Sequence, residues 1–373
     1  MLASQQRHDR GFDLIHTPLL RHFPALVRAL SGDAGHLLAR FGLIPEDCER
    51  AGAITCRQWI AVLEQAANQL DAPTFGLMLA ERQGGTGIYG RLGGAMRNSQ
   101  TFGEALRYAA GHSAAHSLGV RIWIGATASG NHVFVGHDIL SDCAANRAQA
   151  LEQLMLLGHL GARYLTGDRV GVRRVHFRHR ARAPLSSYSQ KFGCEVRFCQ
   201  NEDGVAFDRA ALDAPILDAD SAAFHRAAEE IHRGIAGRRP PLQAAVRGLV
   251  MQWLATDACG NDEIGDALGI HPRTLLRRLH KEGTSFQKLK DEVRAELMIY
   301  YLRETDLELS RISVKLGFAE QSAMSRFARS HLGASPSALR LRMAEAKLSA
   351  SDKPQAAPSR QTGAQHGAPA KAR

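Results

Sequence analysis

The sequence predicts two domains: an α+β N-terminal domain, then an all-α domain in which two helix-turn-helix units are joined by a long helix. Three observations carry this. A length of 373 residues fits about two domains. The stretch R-G-I-A-G-R-R-P-P at 233–241 concentrates prolines, glycines and arginines and reads as a linker. Beyond it the hydrophobic spacing is almost wholly helical and contains an internal repeat. The expected division is an N-terminal extension at 1–18, a sensor domain at 19–232, the linker at 233–241, a helical domain at 242–345 and a basic tail at 346–373. The tail is Ala, Ser, Pro, Gln and Gly with scattered basic residues. It has too little apolar surface to offset the entropy of ordering, so disorder is expected.

In the N-terminal half, Trp59 to Leu70 and Thr101 to Ala115 have amphipathic helical spacing, the second opened by Thr101 and Glu104 as a capping box. Val120 to Ile124 and His132 to Val135 have strand character, as does the alternation from Val172 to Phe177. Ala145 to Leu165 reads as a long helix with an apolar face. Cys194 to Phe198 and Gly204 to Phe207 read as a hairpin turning at 200–203. The start of the chain lacks the apolar core of a signal peptide, and no run of eighteen apolar residues occurs. A cytoplasmic protein without a membrane partner is therefore expected. The six cysteines are scattered, without metal-ligand spacing, and read as free thiols. The pairs His112/His116 and His176/His179 have no third ligand and read as core or surface residues, so neither a metal nor another cofactor is expected.

The net charge of +10 and the pI near 9.6 favour a polyanionic partner. Between Leu242 and Glu345, however, 15 basic residues meet 13 acidic ones, a net of only +2. The signal there is local: Arg273, Arg277, Arg278 and Lys281 cluster with no acid among them. Around them, Asn261 is placed as an N-cap and Ile264, Ala267 and Leu268 form an apolar face. Gly269 ends that helix, and Pro272 suits the first turn of the next. A second copy follows 48 residues later, glycine to glycine: Ile312 precedes Gly317 as Ile264 precedes Gly269. Its turn is one residue longer, with Met324 and Phe327 expected inward. Between the copies, Ser285 to Glu304 reads as one helix, about 30 Å long at 1.5 Å per residue. Two units so spaced, roughly one DNA turn of 34 Å apart, would reach successive major grooves.

The residues Leu268 to Leu279, Gly283 to Phe286, Arg294, Ile312 to Phe318, Gln321-Ser322, Ser325 to Phe327, Gly333, Ser335-Pro336 and Arg340 together resemble the DNA-binding domain of the AraC/XylS family of transcription regulators. The resemblance implies base contacts from Arg273, Thr274 and Arg277 in the first recognition helix and from Gln321, Ser322, Ser325 and Arg326 in the second. The chemistry agrees independently, since arginine pairs with guanine, glutamine with adenine and serine with either. This chain departs from the family pattern in three ways. His271 stands where a serine N-cap is usual, Gly265 and Ser313 replace alanine, and Leu339 replaces tyrosine. Pro45-Glu-Asp47, Gly76-Leu77, Gly87, Thr101 to Leu106, Phe192 to Phe198, Asp208 and Leu212 to Pro215 resemble the arabinose-binding-like sensor of one branch of that family. This implies a small-molecule effector, without implying arabinose.

The expected function is a sequence-specific, ligand-responsive transcription factor and not an enzyme. It would activate a catabolic operon, with double-stranded promoter DNA, RNA polymerase and a second copy of the chain as partners. A DNA alkyl-transfer repair protein would need an activated cysteine beside histidine and arginine, and no cysteine here has those neighbours. A non-specific architectural binder would need neither the large sensor nor the arginine and glutamine base-readers.

Overall fold

Short-range signals are realised locally, while the sheet order is set by burial. The computed structural model describes residues 13–351 except 51, 127–129, 141–145, 236–240 and 257. Strand β1 (Leu14–His16) pairs antiparallel with β2 (Ala53–Thr55). Around this pair lie α1 (Phe23–Ala29), α2 (Ala34–Ala39), α3 (Cys56–Gln69), α4 (Phe75–Gln83), α5 (Gly90–Asn98) and α6 (Phe102–Gly111). Next come β3 (Val120–Ala126), β4 (His132–Ile139), α7 (Ala148–Thr166), β5 (Arg174–His176), α8 (Leu185–Phe192), β6 (Glu195–Arg197), β7 (Gly204–Asp208) and α9 (Ser221–Ile235). Strands β3 to β7 form one sheet in the order β3-β4-β7-β5-β6. Helix α7, buried along most of its length, lies in the core with α3 and α4. Gly76 permits the close approach of α4: a Cβ there would overlap the Gln149 carbonyl.

Several expectations change. Strand β1 belongs to the sensor and buries Ile15, so the ordered fold begins before residue 19; residues 1–12 lie outside the described part. Helix α3 starts three residues before Trp59 because Thr55 caps it: its hydroxyl accepts from Gln58 N–H at 3.0 Å, and the Gln58 side chain accepts from Thr55 N–H at 2.9 Å. Helix α6 opens at Thr101, whose hydroxyl accepts from Glu104 N–H at 3.2 Å, but the expected capping box is only half formed, because the Glu104 carboxylate accepts from Gln100 N–H at 3.0 Å, and the helix ends at Gly111. The expected hairpin of β6 and β7 does not form, because β5 lies between them, parallel to β6 and antiparallel to β7. Residues Gly204 to Phe207 are all buried, and a strand covered on both faces needs a partner on each edge. Helix α9 runs to Ile235, into the expected linker, of which 236–240 lie outside the described residues.

The C-terminal half is helical: α10 (Leu242–Trp253), α11 (Asn261–Ala267), α12 (Pro272–Lys281), α13 (Phe286–Glu304), α14 (Leu309–Lys315), α15 (Gln321–Leu332) and α16 (Pro336–Ser351). Helix α16 passes residue 345, where the tail was expected to begin; residues 352–373 lie outside the described part. A separate core of Val246, Ile264, Leu275, Val293, Ile312 and Met324, among others, holds these helices together. Leu140 from the end of β4 is part of it, and Leu118 packs against it.

Candidate nucleic-acid interface

The two helix-turn-helix units are built by the same hydrogen bonds. Gly269 and Gly317 take the left-handed conformation, at φ +63° and +66°. In the first turn Ile270 N–H donates to the Gly265 carbonyl at 2.8 Å. In the second, 48 residues on, Phe318 N–H donates to the Ser313 carbonyl at 3.1 Å. Both are the closing bond of a left-handed helix cap. Gly265 has a reason to lack a side chain, since a Cβ would come within 2.7 Å of the Ile270 carbonyl. Asn261 is not the N-cap of α11; Gly260 holds that place with extended backbone.

Helix α12 begins with Pro272, and His271 supplies the cap that a serine would otherwise give: its Nδ1 accepts from Arg273 N–H at 3.3 Å. Leu275 and Leu279 are fully buried, which turns Arg273 and Arg277 to solvent and leaves Thr274 half-buried. Helix α15 buries Met324 and Ala328 one turn apart, in the places of Leu275 and Leu279. Phe327, expected inward, lies half-buried at the flank, 5.4 Å from Phe318 between ring centres. Gln321, Ser322 and Arg326 are exposed and Ser325 is half-buried. Ser322 Oγ donates to Glu320 at 2.9 Å. The expected residues thus form two groups, three on α12 and four on α15, each on its own helix. Sequence reasoning passed over Leu276, which is 42% exposed on α12. Neighbouring apolar residues on a helix can share a core, as Leu297 and Met298 of the next helix do, so the pair Leu275-Leu276 did not by itself say which leucine would stay exposed.

The long helix α13 holds the units in register. Arg294 donates to the Leu316 carbonyl at 3.1 Å and to the Gly317 carbonyl at 3.0 Å, and its guanidinium lies 4.6 Å from the Phe318 ring centre. Arg340 of α16 donates to the Leu307 carbonyl at 2.6 Å. At 19 residues α13 spans about 28 Å.

Similarity to known proteins agrees with this geometry. Residues 32–216 match the family described as the arabinose-binding domain of AraC transcription regulators, N-terminal, and residues 264–342 match a helix-turn-helix domain family. Over 324 residues the chain is 30% identical to the HTH-type transcriptional regulator VirS of Mycobacterium tuberculosis, covering 87% of this chain and 95% of that one. The chain belongs to the AraC family of transcription regulators. This AraC-family regulator is also 26% identical to the ornithine utilization regulator of Pseudomonas aeruginosa over 267 residues, 71% of this chain and 78% of that one. The crystal structure of the transcriptional regulator CdpR from Pseudomonas aeruginosa aligns at a TM-score of 0.40 with 22% identity, covering 84% of this chain and 97% of that one.

His112 stacks on Tyr108 at 4.1 Å, and His116 packs edge-on against Tyr89 at 5.1 Å. Burial pushes the Cys48 thiol up to about 12 and that of Cys194 up to about 11, and it raises Cys259. Such thiols stay protonated and are poor nucleophiles. Among the described residues no helix is long and apolar enough to cross a membrane, and no group of three metal-ligating side chains converges.

Proposed function

We propose that this regulator is a cytoplasmic, small-molecule-responsive activator of a catabolic operon. It reads two adjacent major-groove segments of promoter DNA with α12 and α15. The observation that supports this best is the pair of helices whose buried residues repeat one turn apart while their polar residues stand in solvent. Arg273, Thr274 and Arg277 would read one segment, and Gln321, Ser322, Ser325 and Arg326 the other. The exposed Leu276 would meet a thymine methyl. RNA polymerase is the partner an activator requires, and the sensor domain would carry the effector and self-association. The name of the ornithine utilization relative favours a link to nutrient use. Raised thiol pKa values disfavour the alkyl-transfer alternative. Footprinting the full chain on the promoter of its neighbouring operon should protect two major-groove segments on one DNA face. Protection of a single short segment would refute the two-helix reading.

A further inference from the structure

A cleft of about 370 Å³ opens between β1, the turn carrying Tyr89, the segment after α6 and the end of α9. That volume is within the range of small-molecule sites. Its wall is mostly apolar, with Ile15, Ile88, Leu118 and Ile231 among its members. Arg91 brings a cation to it, His16 and the buried, neutral His116 bring imidazoles, and no aspartate or glutamate lines it among the described residues. His116 is 3% exposed, and neither of its ring nitrogens has a hydrogen-bond partner. Tyr89 also lines a second, apolar pocket of about 40 Å³ behind it, room for water but not for an effector. The neighbouring Gly84, Gly85 and Gly90 all have positive φ, so Tyr89 sits on a turn of special backbone.

Resting on the reading of this chain as a ligand-responsive regulator, we propose that the cleft is the effector site and that the effector is a small carboxylic acid with an apolar body. The apolar wall favours the body by removing it from water. The head group is decided by charge. An amine placed here would face the Arg91 cation with no carboxylate in the wall to receive it, whereas a carboxylate can take the Arg91 fork and the N–H of the neutral His116 imidazole. Glu230 already approaches Arg91 at 3.5 Å, but both side chains are more than half exposed. A pair that open to water is worth little and yields readily to a ligand. The position also suits signalling. Ile231 belongs to α9, the helix leading to the DNA-binding half, and Leu118 packs against that half's core. A bound molecule would therefore touch two of the connections between the halves.

The test titrates the full-length chain, by calorimetry and thermal shift, with hexanoate and benzoate, their amides, the matching amines and ornithine. Two variants accompany it: Arg91→Gln, at an exposed position, and Ala115→Trp, which fills the cleft. The acids should bind and change promoter-DNA affinity, and the amides should bind about tenfold more weakly. Arg91→Gln should bring acid affinity down to the amide level while unliganded melting and DNA binding stay unchanged. Ala115→Trp should abolish binding; if that variant misfolds, Arg91→Gln decides alone. Amines that bind as tightly as the acids would overturn the acid assignment and leave the sensor reading standing. Acid binding untouched by Arg91→Gln would place the site elsewhere. If no compound of any class, a broad metabolite panel included, changed melting or promoter output, both readings would fall together.

Discussion

His271 shows how one side chain can replace another by a different route to the same bond. Its ring nitrogen accepts the N–H that a serine hydroxyl would take, so the departure from the family pattern leaves α12 capped. His271→Ala should lower stability by about 1 kcal/mol and His271→Ser should not, which urea melting can measure. The buried histidines of the sensor act on a larger scale. Burial holds the imidazoles of His116 and His179 down at about 3 and those of His137, His159 and His176 at about 4. Below about 6.5 the unfolded chain takes up protons at these sites and the folded chain does not. Stability should therefore rise with pH from about 4 to 6.5 and then level off. Glu64, pushed up to about 7 by burial, works in the opposite sense between about 4.5 and 7, and burial also raises the carboxyls of Asp138, Glu152 and Glu202, so four carboxyls offset part of what the five imidazoles contribute. A lower urea midpoint at pH 5 than at pH 7 is expected; the reverse would contradict the assignment of neutral buried imidazoles.

At the level of elements, the repeat makes a controlled comparison between two glycines in equivalent turns. Gly269 has open space around a would-be Cβ, so Gly269→Ala should cost only the left-handed backbone penalty, about 1–2 kcal/mol. At Gly317 a Cβ would also overlap the Leu254 carbonyl at the end of α10, adding roughly 1–3 kcal/mol. Chemical denaturation of the two variants should rank them in that order, and equal losses would mean α10 does not press on the second turn. Elements of this kind were legible in the sequence because glycine turns, caps and i,i+4 leucines act over a few residues. The capping box of Thr55 and Gln58 was equally local and equally readable, though the helix was placed from Trp59. The insertion of β5 between β6 and β7 was not readable, because nothing in a strand's own residues names its neighbours. The expected base-reading residues emerged from spacing and family likeness together, and Leu276 was missed because its exposure depends on which leucine the core accepts.

Across the whole molecule, the sensor and the DNA-binding half meet through paired charges that no local pattern announces. Glu304, at the end of α13, is 1% exposed; its carboxylate pairs with Arg182, and its carbonyl accepts from Arg180 N–H at 3.3 Å and Arg180 Nε at 3.1 Å. Arg182 also donates to Asn146 at 3.1 Å, and Asn146 donates to Glu64 at 2.7 Å, which ties the contact to α3. Arg247 of α10 donates to the Leu140 carbonyl and pairs with Glu296. Glu304→Ala strands Arg182 and should cost about 3 kcal/mol, toward the low end for a buried pair because Arg182 keeps some access to water. Calorimetry should then show two melting transitions where the intact chain shows one; a single unshifted transition would mean the halves do not depend on this contact. Through all of this Arg273, Arg277, Gln321, Ser322 and Arg326 stay exposed, so the docked sensor leaves the proposed recognition faces of α12 and α15 open. The central claim, that these faces read bases, is tested most directly by a salt-controlled titration of wild type, Arg277→Ala and Arg326→Ala on promoter DNA and on random DNA. Each variant should lose about 1–3 kcal/mol on the promoter and clearly less on random DNA; equal losses on both would make the arginines phosphate contacts and contradict the assignment.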